Sequence, residues 1–142
     1  MRPVLATRGW RRVFTWIFTV SALVVALGVL WQAFTIASYV RGAGDEARDL
    51  HVIGAYVTHN LEIVVFVAAL VAFSGDWRRV GFALLLPLYG TFQVFVIGDT
   101  DEPGGWVNGL HGLLALVVLL QATVLAVDGV RHLYPRGGSY PA

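Results

Sequence analysis

The sequence predicts an all-α integral membrane protein, a bundle of four transmembrane helices, and three observations carry that expectation. Of the 142 residues, 57% are hydrophobic and only 13% are charged, about half the charge fraction of an ordinary soluble domain. The apolar residues fall in long unbroken runs instead of short amphipathic periods. Four such runs, each near or above the roughly 18–20 residues that cross a hydrocarbon core, are bounded by Gly, Pro or charged residues. The chain, 1–142, therefore reads as a single integral membrane domain with helices over about 13–40, 50–73, 79–98 and 105–131.

The first run is about twice the length of a signal-peptide apolar region and no small-residue cleavage motif follows it, so it is expected to remain as a helix. The second opens after the glycine- and acid-rich connection "RGAGDEARD". The third follows "GDWRR", and the fourth follows "GDTDEPGG". All ten basic residues are Arg. Arg2, Arg8, Arg11 and Arg12 precede the first helix, Arg78 and Arg79 lie between the second and third, and Arg131 and Arg136 follow the fourth. The opposite side holds Arg41 and Arg48 among Asp45, Glu46, Asp49, Asp99, Asp101 and Glu102. The positive-inside rule then places both termini in the cytoplasm, in a cell inner (plasma) membrane, with both acidic loops outside. Trp10, Trp16, Trp77 and Trp106 read as interfacial anchors.

The lack of cysteine removes disulfides, thiolate metal sites and a cysteine nucleophile. A net charge of +1 with no basic tract gives nucleic-acid binding no support. No nucleophile–base–acid set of a soluble hydrolase is visible.

Two parts of the chain resemble each other. In "LWQAFTIASYVRGAGDEARDLHVIGA", Gln32 precedes His51 by nineteen positions; in "GTFQVFVIGDTDEPGGWVNGLHGLLA", Gln93 precedes His111 by eighteen. Both Gln residues follow an aromatic residue and precede a Phe two positions on, and both His residues follow Leu and open a helix. The pattern reads as a duplicated helical hairpin. A two-span unit keeps its orientation on duplication, so the halves would be related by a pseudo-two-fold axis along the membrane normal. His51 and His111 are then expected at similar depth, across the axis from each other. Two facing imidazoles in a four-helix bundle can ligate one metal-centred cofactor.

Polar groups inside a membrane are costly unless paired, which makes each a candidate for function. On the second helix, His51, Ala55, Thr58, His59 and Glu62 share one face at about 100° per residue. On the fourth, the matching face is His111, Ala115, Val118 and Ala122, whose small side chains leave room for something flat and apolar. His59 has no counterpart in the second hairpin, where Leu119 stands; it is expected to bond Glu62 or a Gln or Tyr of another helix. Glu62 lies mid-span, where a bare carboxylate is expensive. It is expected to carry a proton or to bond His59, and the two are candidates for a proton relay or a quinone contact. Gln32, Gln93 and Gln121 are expected to bond between helices.

These residues resemble the haem A synthase family. That family has two four-helix halves, each with one haem-ligating His on its second helix and one on its fourth. "DLHVIGA" is similar to its second-helix segment and "GLHGLLALVVL" to its fourth-helix segment, and the likeness covers about residues 25–127. The chain corresponds to one half only; Val52 stands where the family has Arg, and Ala47 where it has an acidic residue. Small four-span membrane proteins of unknown function are also similar. The resemblance implies a b-type haem near the outer face, with His51 and His111 as axial ligands. Gln32, Gln93 or loop carbonyls would orient the rings, for electron transfer or haem handling. The expected partners are the lipid bilayer, a membrane redox partner or quinone, and a second copy in a homodimer. Two other readings stand beside this one. The first is a non-catalytic accessory subunit of a larger membrane complex. The second is a small transporter with a path along His51, His59 and Glu62, against which the wholly apolar 64–73 segment argues.

Overall fold

A computed structural model describes residues 6–97 and 105–135. Arg2, Asp99, Asp101, Glu102 and Arg136, used above to argue orientation, lie outside the described residues. Four long helices account for nearly all of the rest: α1 (Ala6–Val40), α2 (Asp45–Ala72), α3 (Trp77–Thr91) and α4 (Gly105–Leu133). A π-helical turn, Phe92–Ile97, continues α3. Among the described residues no strand forms.

The helix ends follow local chemistry. α1 begins well before the expected position 13, because Arg11 and Arg12 are good helix formers and extend the helix past the apolar run. Gly42 and Gly44, at φ 92° and 86°, make the turn into α2 that residues with side chains rarely adopt. α2 starts at Asp45 instead of about 50, since Asp45 and Glu46 in its first turn complement the helix dipole. Gly75, at φ 101°, and Asp76 separate α2 from α3, and Asp76 Oδ1 caps α3 by accepting from the Arg79 N–H at 3.2 Å. The third helix does not run as one α-helix to position 98. Pro87 lies inside it, and a proline removes one backbone bond and crowds the preceding turn. Thr91 Oγ1 donates to the Pro87 carbonyl at 2.7 Å, and the π turn follows at once.

α1 packs most extensively on α2 and then on α4, whereas α3 touches α2 and α4. α1 and α3, like α2 and α4, sit on the diagonals without close backbone approach. Glycines set two of the close contacts: a Cβ at Gly28 would stand 2.5 Å from Thr58 Oγ1, and one at Gly129 would overlap Thr19 Oγ1. This is the small-residue packing that membrane helices use to approach each other. The dense core lies towards the arginine-rich end, where Phe18, Val25, Val65, Leu86 and Leu125 are fully buried.

Outside that core the helices are apolar all round. Leu23, Leu27, Leu30, Ile53, Val57, Leu85, Leu88, Leu113, Leu116 and Leu120 are all exposed, a surface that water does not tolerate and hydrocarbon does. Each of the four helices carries a window long and apolar enough to cross a membrane. The chain is a multi-pass membrane protein.

Candidate functional site

α2 carries the polar face anticipated from its spacing. His51 and Ala55 are half-buried, and Thr58, His59 and Glu62 are buried. On α4, His111 and Ala115 are half-buried, while Val118 and Ala122 are fully covered. The two faces look at each other across a diagonal and enclose a cavity of about 330 Å³. Gln32, His51, His59, Glu62, Gln93 and His111 all line it, together with Ala55, Thr58, Gly90, Gly112, Ala115 and Val118. These six candidate site residues are thus brought to one place, whereas Gln121 is not among those that line it. The cavity also reaches Leu30, Ile36, Val52, Tyr56 and Leu116, which are exposed on the lipid-facing surface.

At the end of the cavity away from the arginine-rich core the rings of His51 and His111 are 6.2 Å apart, centre to centre, inclined at 53°. His51 Nδ1 lies 3.0 Å from the backbone carbonyl of Gln32. A carbonyl only accepts, so Nδ1 carries the proton and the free lone pair of a neutral His51 is on Nε2. The Gln32 side chain turns elsewhere and donates through Nε2 to Thr58 Oγ1 at 3.1 Å. Gln93 Nε2 reaches both His111 Nε2 and the His111 carbonyl, each at 3.4 Å. The carbonyl identifies the Gln93 group as the donor, so Nε2 of His111 is the acceptor. Both histidines therefore keep their lone pair on Nε2. Among the described residues, no three His, Cys, Asp or Glu converge on one point; two imidazoles fall short of the four ligands of a structural zinc, whereas a tetrapyrrole brings four nitrogens of its own.

About 12 Å further down α2, two turns and more at 1.5 Å per residue, His59 and Glu62 form the floor. His59 Nδ1 and Glu62 Oε2 are 3.0 Å apart, the pairing expected from their spacing. The site also uses residues that sequence reasoning passed over. Gly90 is one: a Cβ there would fall on Glu62 Oε2 and 2.8 Å from His59 Nδ1. Thr91 Oγ1 lies 3.5 Å from His59 Nε2. The Phe95 ring meets His59 edge-on at 5.8 Å. Gly90 and Thr91 end α3 beside His59, and Gln93 and Phe95 sit on the π turn that follows, which reaches both histidine levels. π turns inside helices are often found at functional sites, and the readable signal for this one is Pro87 within an otherwise apolar run.

Below Glu62 the interior closes on apolar side chains. The buried hydroxyls of Thr15 and Thr19 return to carbonyls of their own helix, and Gln121 Nε2 donates across to the Phe82 carbonyl at 2.6 Å. The far end is pinned by ions: Arg79 bonds both Asp76 and Asp128, at 2.6 and 2.7 Å, and lies over the Phe73 ring. His132, given no role from sequence, packs edge-on against Phe73 and sits 2.8 Å from the Asp128 carbonyl. Trp10, Trp77 and Trp106 stand largely exposed near helix ends. No protein family, curated protein or solved structure matches this chain.

Proposed function

We propose that this protein is a membrane b-type cytochrome-like protein that holds one haem b between His51 and His111, for electron transfer or haem handling. The observation that carries the reading is the spacing of the two rings. Two imidazoles sharing one metal through bonds of about 2 Å, with each ring centre about 1 Å behind its nitrogen, stand roughly 6 Å apart; here the separation is 6.2 Å. The tautomers agree with it. A ligating histidine donates its other nitrogen's proton to a fixed acceptor, which the Gln32 carbonyl provides for His51. Gln93 would release its long contact to His111 Nε2 and remain within reach of the His111 carbonyl. Ala55, Gly112, Ala115 and Val118 contribute small or apolar side chains to the cavity lining beside the two histidines.

Held by both His51 and His111, a haem would supply one-electron transfer in preference to oxygen binding. In this reading the two hairpins are a duplicated unit related by a pseudo-two-fold axis along the membrane normal, with each Gln beside the His of its own hairpin. The arginine-rich end faces the cytoplasm of a plasma (inner) membrane with both termini, so the histidine pair lies near the outer face. The electron partner is a membrane redox protein or a quinone, and the protein acts alone or as a homodimer.

Haem-replete expression, purification and a reduced-minus-oxidised spectrum test the proposal. A b-type α-band is expected in the native chain and is expected to vanish in His51→Ala and His111→Ala. No band in the folded native protein, or an unchanged band in both variants, overturns it.

A further inference from the structure

We propose that His59 and Glu62 form a one-proton store whose charge follows the redox state of a centre held by His51 and His111. This rests on the reading above for the electron, but not for the proton. The hydrogen bonds themselves count the protons. Thr91 has one hydroxyl hydrogen, and it is given to the Pro87 carbonyl at 2.7 Å. Its oxygen can then only accept, so His59 Nε2, 3.5 Å away, carries a hydrogen. His59 Nδ1 and Glu62 Oε2 stand 3.0 Å apart, and two lone pairs do not meet at that distance without a proton between them. The dyad is either imidazole with carboxylic acid or imidazolium with carboxylate. Both forms hold the same single shared proton and both have zero net charge, the condition the middle of a membrane favours.

The surroundings make this pair the group that responds. Among the described residues, the titratable ones that line the cavity are His51, Tyr56, His59, Glu62 and His111, with no Asp or Arg. Among the described residues, the dyad meets Gly90 and Thr91 from α3, Phe95 from the π turn and Gln32 of α1 through Thr58, and α4 brings His111 to the same cavity. None of these facing groups can neutralise an added charge. An electron delivered to the histidine pair by an external one-electron donor lowers the charge of the cavity by one. In a medium this apolar an uncompensated charge is expensive. The dyad then binds one proton from solution, leaving His59 protonated at both nitrogens and Glu62 as the acid. One electron and one proton enter together, and the cavity returns to its former charge. On oxidation both leave. Gly90 is part of the device, because any larger residue there would push the carboxylate off His59.

The test is potentiometric titration of the haem-loaded protein over a series of pH values, with infrared difference spectra of the same samples. Proton and electron affinities are coupled reciprocally, so the midpoint is expected to fall as pH rises in the native chain. It is expected to lose that dependence in Glu62→Gln, which keeps the size of the side chain. Reduction should also raise a protonated-carboxyl or an imidazolium band that is lost in Glu62→Gln or His59→Gln. His59→Gln serves as a second variant and should flatten the same dependence while the visible spectrum stays intact. A pH dependence that survives both variants, or none in the native chain, overturns the inference. Should the chain bind no haem, acid titration of the cofactor-free protein decides the proton part separately. A carboxyl band growing as pH falls and absent in Glu62→Gln supports the dyad, and no Glu62-dependent band overturns it.

Discussion

The two ends of the bundle are built on opposite principles. Towards the arginine-rich end, Phe18, Val65, Leu86 and Leu125 fill the interior, Phe18 stacks edge-on with Phe73 at 5.1 Å, and Arg79 ties α3 to α4 through Asp128. Towards the histidine end, the same four helices surround a cavity, and their inward side chains are His, Gln, Thr and Glu beside Ala and Gly. One α3 segment even abandons α-helical geometry there. The comparison teaches that stability and the site are separated along the membrane normal. The packed end fixes the helices, which leaves the open end free to keep unfilled volume and buried polar groups that would otherwise weaken the fold.

If this division is right, substitutions should sort by end. The largest loss is expected for Phe18→Ala, about 3–5 kcal/mol from the lost contacts and the cavity left behind, measured by unfolding in detergent. Leu125→Ala should follow at about 2–5 kcal/mol, whereas either change should leave a His51–His111 cofactor spectrum unaltered wherever the protein still folds. Gly129→Leu should disrupt the α1–α4 contact, because even a Cβ there overlaps Thr19; a loss comparable with a core truncation is expected in the same assay. His111→Leu should do the reverse of Phe18→Ala: it should abolish any haem band yet change the stability of the cofactor-free protein by about 1 kcal/mol or less, since its contacts to Gln93 are long. The smallest effect is expected for Arg79→Gln. Its pairs with Asp76 and Asp128 are partly exposed, so the loss should be at most about 1 kcal/mol and should shrink further in high salt. A His111 variant that unfolds the protein, or a Phe18 variant that leaves stability intact but removes the spectrum, would break the comparison.

Much of this arrangement was legible in the chain. The apolar runs alone demand four spans, because a backbone in hydrocarbon must bond to itself. The inward faces of α2 and α4 follow from helical spacing: His51, Thr58, His59 and Glu62 share one side at every register of a regular helix. The His59–Glu62 bond is likewise local, three residues apart on one helix. The ends of α1 and α2 were harder to read, since Arg11, Arg12, Asp45 and Glu46 continue a helix on charge and propensity after hydrophobicity has stopped.

What the sequence determined by itself, then, is periodicity and its consequences: the number of spans, which side chains face inward, and which polar residues need a partner. The tertiary structure decided everything that depends on one helix meeting another. It placed α2 and α4 on a diagonal, so that His51 and His111 stand 6.2 Å apart. It turned the Gln32 side chain to Thr58 and left its carbonyl for His51. It also set Gly90 against the Glu62 carboxylate, and the π turn that begins at Phe92 took Gln93 and Phe95 off the α-helical register. The physical reason is that a helical repeat fixes angles around one axis, whereas distances between axes are fixed only by what packs between them.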